Sequence, residues 1–204
     1  MTLDSDLAKA QKLVEKWQTK ADTARAEAEQ LDRDAGAAIL DDPGAAERLT
    51  MKIAAKEREA RAYFTAAAEA RERVTGVYRK HLEAEQRELA KVARDADAAL
   101  ERHEKKLDTL LDQLRELEGV EYEPGEGMPA GTVMMMGRPV EATHLPTSKQ
   151  LENEAVEAAV RLHLVETYLE HNRLPTLAEN GFRQQVTVEH PPVLARVIAE
   201  GITF

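Results

Sequence analysis

The chain of 204 residues contains no cysteine, which excludes disulfides, thiol chemistry and every thiolate metal site. Aromatic residues are only 4% of the chain, with a single tryptophan, too few for a wide globular core. No apolar run approaches the ~18 residues a membrane span requires, so a transmembrane segment is not expected. Proline and glycine are also scarce in one long stretch: no proline follows Pro43 until Pro124, and Gly76 is the one glycine between Gly44 and Gly119. The opening Met-Thr-Leu-Asp-Ser-Asp has neither a basic nor an apolar region, which predicts no secretory leader and a cytoplasmic location.

What the chain does have is charge. Charged residues make up 32% of it, and the net charge is −10. Such a balance favours solubility and opposes adventitious binding to nucleic acid or anionic lipid.

Apolar residues recur at Leu3, Leu7, Ala10, Val14, Trp17, Ala21, Ala24, Ala28, Leu31, Ala35 and Ala38 in alternating steps of three and four, the heptad signature of a helical seam. Ser5 is the expected N-cap, with Asp4 and Asp6 near the positive end of the helix dipole. Leu40-Asp41-Asp42-Pro43-Gly44 then reads as a turn. The residue before proline avoids helical geometry, so the first helix should stop near Asp41, with Asp42 capping its successor. So short a connection makes the two helices antiparallel neighbours. Residue numbers in contact should sum to about 83, which sets Trp17 near Ala66 or Ala67.

The returning seam runs through Leu49, Ile53, Ala60, Tyr63, Ala67, Ala70, Val74 and Val77, and Tyr63 with Phe64 reads as core packing. Val74-Thr75-Gly76-Val77 lacks the Asp, Asn or Pro of a usual reversal, so a continuous or kinked helix is expected through it. From Asp42 to Glu118 that helix would measure on the order of 115 Å at ~1.5 Å per residue. Its far end outruns the first helix. There Leu100, Leu107, Leu110, Leu114 and Leu117, with His103, form a dense stripe that needs a hydrophobic partner. The step from Leu89 to Leu100 shifts the heptad phase, a stutter. These five leucines are the expected oligomer or partner interface.

Residues 119–131 read as a Gly/Pro/Glu linker, whose acidic side chains would repel a phosphate. Thr132–Met136 suggests a strand turning at Gly137-Arg138 into a second one. Thr147 or Ser148 should cap a helix with Leu151, Ala155, Ala158, Leu162, Val165 and Leu169 on one face, ending near Asn172. A strand over Arg183–Glu189, a short helix after Pro191-Pro192 and a pairing strand at Ile202–Phe204 complete the expectation. The predicted fold class is therefore mainly α: residues 1–118 form a helical hairpin and coiled-coil rod, followed by a small α+β docking module over 132–204.

Chemistry-bearing constellations are sparse. His163, Glu166 and Glu170 share a helical face, with His171 next, but a metal site would need ligands from another element, such as His144 or His190. Nucleotide-cradle, hydrolase and dinucleotide signatures are missing. No catalytic residue, cofactor or metal is therefore expected, and the protein is read as a non-enzyme.

Two resemblances bear on function. Glu166-Thr-Tyr-Leu-Glu-His-Asn-Arg-Leu-Pro-Thr176 resembles the first helix and Pro-Thr corner of SOS-repressor-type winged-helix domains, and Leu194–Phe204 is loosely similar to their last helix and wing. That resemblance implies a DNA-binding regulator. Against it, residues 119–204 hold six Lys+Arg and twelve Asp+Glu, and phosphate attraction supplies much of DNA affinity. Ala38-Ile-Leu-Asp-Asp-Pro-Gly-Ala-Ala-Glu-Arg-Leu49, between alanine-rich charged helices, resembles hairpins in coiled-coil accessory and assembly proteins of actinobacterial phages and mobile elements. It implies a role in a particle, which would assemble in the cytoplasm.

The reading that follows is a structural or assembly protein, a coiled-coil homo-oligomer presenting a protein-binding module. Its alternative is an acidic inhibitor or adaptor occupying the basic site of a partner protein.

Overall fold

The computed structural model describes residues 2–42, 44–119, 132–135, 138–141, 147–176, 179 and 188–204. The protein is mainly helical. Helix α1 spans Leu3–Asp41, α2 Ala45–Glu118, α3 Thr147–His171 and α4 Pro192–Ala199. Strands β1 (Thr132–Met135) and β2 (Arg138–Glu141) pair with each other, antiparallel, with Thr132 opposite Glu141 and Met135 opposite Arg138. The chain divides into two compact units, Met1–His81 with Val197–Phe204, and Leu82–Arg196.

The first unit is built on the α1–α2 hairpin. The cap of α1 is Thr2 rather than Ser5: Thr2 has extended backbone, and its hydroxyl accepts the Ser5 N–H at 3.4 Å. Ser5 is already inside the helix because Thr2 offers the same capping oxygen three residues earlier. At the other end the Asp42 carboxylate accepts the Gly44 N–H at 2.9 Å, and its carbonyl accepts the Ala45 N–H at 2.8 Å. Arg48 then pairs with Asp42 at 2.6 Å, so one aspartate ends α1 and starts the return.

Four contacts along the hairpin fix its sense. Lys56 meets Glu27 at 2.9 Å, Tyr63 stacks on Trp17 at 5.8 Å, Arg71 donates to Gln18 at 2.8 Å, and His81 meets Asp6 at 3.1 Å. From Glu27 to Asp6 the partners move down α1 as those on α2 move up from Lys56 to His81, the order of antiparallel neighbours, with the long Arg71 side chain reaching Gln18. Trp17 stacks on Tyr63, which brings two large rings together between the helices. Ala21, Ala24 and Ala28 on α1, with Ala60, Ala67 and Ala70 on α2, are buried between them. Small side chains let backbones approach toward the ~8 Å end of helix spacings.

α2 runs unbroken through Gly76, where an added Cβ would meet no other atom within 4 Å. This glycine therefore admits no close neighbour that a side chain would displace. The C-terminal residues of this unit return to the same helix: Tyr78, fully buried, donates its hydroxyl to the Glu200 carboxylate. Gly201, at φ 64°, occupies the left-handed region that closes α4, and Ile202 N–H reaches the Val197 carbonyl at 3.0 Å.

In the second unit α3 buries Ala155, Ala158, Val160, Leu164, Val165 and Tyr168, a broader arc than the expected single stripe. It ends at His171, followed by Asn172 at φ 53°, whose N–H donates to the Tyr168 carbonyl at 2.9 Å. Beyond it Thr176 and Glu179 form a reciprocal capping box: Glu179 accepts from the Thr176 N–H at 2.7 Å and donates its own N–H to the Thr176 hydroxyl at 3.4 Å. Arg173 clamps the same carboxylate through two bonds of 2.8 and 2.7 Å, holding Glu179 well below the usual carboxylate range.

The expected α+β module over 132–204 is not supported. The two short strands form no larger sheet among the described residues. Val197–Phe204 belong to the first unit, and Ile202–Phe204 form no strand because Ile202 N–H is committed to the turn after α4. Most of the expected strand at Arg183–Glu189, and the 120–131 linker, lie outside the described residues; Val188 and Glu189 are in no strand. No helix of the described residues is long and apolar enough to cross a membrane.

Candidate functional site

The five leucines singled out from sequence all lie on the last five turns of α2, in the second unit. Leu100 and Leu107 are half-buried, whereas Leu110, Leu114 and Leu117 are 52%, 36% and 82% exposed. Val92, on the same side of the helix as Leu110, is 52% exposed. An apolar stripe that a lone helix leaves in water is unfavourable at roughly 25 cal/mol per Å². Leucines isolated on a surface need no explanation, but three within eight residues on one stripe do.

Charges on the outer face of this helix, opposite the stripe, pair along the helix. Lys105 pairs with Glu101 at 2.6 Å, which holds the Glu101 carboxyl below its ordinary range, and Arg115 pairs with Asp112 at 3.4 Å. His103 is half-buried within the stripe.

The other residues weighed from sequence do not converge. His163 is half-buried on α3, and its Nε2 atom is buried with no hydrogen-bond partner among the described residues, while Glu166 and Glu170 are exposed. His190 is exposed, and His144 with Met136 lies outside the described residues. Among the described residues no three His, Asp or Glu side chains are placed to hold a metal ion. Phe64 is 36% exposed at the edge of a hairpin groove with Ala28, Ile53 and Ala60, whereas Tyr63 packs on Trp17.

Two groups of polar contacts have no counterpart in the sequence reading. In the first unit Tyr78 holds Glu200, and His81 holds Asp6, whose carboxyl lies below its usual range chiefly through that hydrogen bond, with Lys9 and Lys80 adding to the effect and partial burial opposing it. In the second, both Glu85 oxygens accept from the start of α4, from Val193 N–H at 2.9 Å and Leu194 N–H at 3.1 Å. The one sequence signal for the latter is Pro192 at a helix start, where unsatisfied N–H groups await an acceptor.

No protein-family model, curated protein or solved structure matches this chain.

Proposed function

We propose that the protein is a non-enzymatic structural or assembly factor that self-associates through the distal part of α2 and offers its C-terminal segment to a protein partner. The observation that carries this reading is the exposure of Leu110, Leu114 and Leu117 on one stripe of α2. The phage-like or mobile-element setting suggested by the hairpin's resemblance is the most specific version of the proposal. A role in a particle would use many copies, and copies that associate through a helix stripe suit it.

Sedimentation velocity across a concentration series tests the reading. The wild type is expected to show a concentration-dependent mass above one chain, and Leu110→Asp with Leu117→Asp is expected to sediment as a monomer. Both positions are solvent-exposed, so the double variant should keep the helical circular dichroism of the wild type. A wild type that stays monomeric throughout the series overturns the proposal.

A further inference from the structure

Which molecule covers the distal stripe, and in what direction it runs, follow from the residues beside it. The leucines set a heptad register in which Leu100, Leu107 and Leu114 take one seam position, and His103, Leu110 and Leu117 the other. The paired charges Glu101, Lys105, Asp112 and Arg115 then fall on the outer face, away from the seam. The positions flanking the seam are Ala99, Lys106 and Gln113 on one side, and Glu104, Leu111 and Glu118 on the other.

We infer that the occupant is a second copy of this chain, aligned parallel and in register over residues 99–118. This rests on the self-association just proposed and adds partner, direction and register. In that alignment the flanking pairs are Ala99 with Glu104 of the second copy, Lys106 with Leu111 and Gln113 with Glu118. None sets like charges together, the Lys106 stem can lie along Leu111, and Gln113 can donate to Glu118. Each leucine layer meets its own copy, and a seam of leucine on leucine is self-complementary. The antiparallel alignment that sets Leu100 against Leu117 instead brings Asp97 beside Glu118, two carboxylates that repel. Charge therefore selects the parallel pair. His103 becomes one polar layer facing its own copy, the kind of seam position that fixes register at a cost in stability.

The absence of native cysteine makes the test clean. Full-length Leu117→Cys, oxidised under mild conditions, is expected to give a covalent dimer. A mixture of Leu100→Cys with mass-tagged Leu117→Cys is expected to give no mixed dimer, since a parallel pair holds those positions far apart. His103→Leu is expected to tighten self-association by roughly tenfold, because it replaces the polar layer with leucine. A mixed Leu100–Leu117 disulfide overturns the inference in favour of the antiparallel pair. Association that persists without either crosslink, or that His103→Leu weakens, also overturns it while leaving the proposed function standing. A wild type that never associates removes both.

Discussion

The Trp17 indole and the Tyr63 ring stack with centroids 5.8 Å apart and planes 28° from parallel, across the middle of the α1–α2 hairpin. The Lys20 ammonium lies 5.0 Å from the first ring and 5.6 Å from the second. Aromatic pairs contribute ~0.5–1.5 kcal/mol beyond the area they bury. Both rings are half-buried, so Trp17→Ala should destabilise by about 2 kcal/mol, below the ~3–5 kcal/mol of a fully buried ring. A double-mutant cycle with Tyr63→Leu in urea unfolding should return a coupling of about 1 kcal/mol. A coupling near zero would show that the rings touch without stabilising the hairpin.

The hairpin is legible in the sequence because its information is local and periodic. Alternating steps of three and four mark the seam, and Asp42-Pro43-Gly44 marks the reversal. The contact of Lys56 with Glu27 falls on the anticipated sum of 83, and the stacking of Trp17 on Tyr63 is a ring pairing that periodicity does not specify. The distal leucines were legible for the same reason, as a stripe longer than its intramolecular partner. What could not be read is held by contacts distant in sequence. Tyr78 with Glu200 spans 122 residues and Glu85 with Val193 spans 108, and a lone tyrosine or glutamate on a charged helix carries no periodic signal of its partner. That is why local patterning predicts a separate C-terminal module, whereas the last residues pack with the first unit.

Acid should loosen the open end of the hairpin. The Asp6 carboxyl lies below its ordinary range, mainly because His81 holds it at 3.1 Å. A carboxyl depressed in the folded state stabilises above its unfolded pKa, near ~3.9, and that contribution is lost as pH falls through the folded value. The wild-type thermal midpoint should therefore drop more steeply below about pH 4 than that of Asp6→Asn, which lacks the titrating group. The single tryptophan, within this unit, gives a fluorescence readout of the same transition. Identical acid limbs for the two proteins would remove Asp6 from the account.

Glu85 should control the start of α4. Its two oxygens satisfy the N–H groups of Val193 and Leu194, donors that a helix start leaves without intrahelical partners. Glu85→Ala should cost about 1–2 kcal/mol, the scale of a lost charged cap with partly buried donors left behind. Glu85→Gln keeps one acceptor and should lose less. Hydrogen exchange at the Val193 and Leu194 amides should accelerate in Glu85→Ala while amides in the α1–α2 seam stay protected. Uniform acceleration would mean that Glu85 supports the whole fold rather than this helix end.

His163 offers the opposite case, a polar atom whose removal should help. Its Nε2 is buried and finds no hydrogen-bond partner among the described residues, on a helix whose neighbours Val160, Leu164 and Thr167 are also buried. An unsatisfied buried polar group costs ~1–3 kcal/mol, and replacing it by an apolar group of similar shape can stabilise. His163→Leu should therefore raise the urea midpoint by the equivalent of up to about 1 kcal/mol, with the remainder lost to imperfect packing of the shorter side chain. Glu166→Ala and Glu170→Ala, at exposed positions on the same helix, should change stability by less than about 0.5 kcal/mol. The three substitutions together thus separate packing from chemistry. If His163→Leu lowers the midpoint, the imidazole has a partner that stabilises it; if the combined variant abolishes a measurable activity while its circular dichroism is unchanged, the three side chains act on a ligand and the non-enzymatic proposal fails.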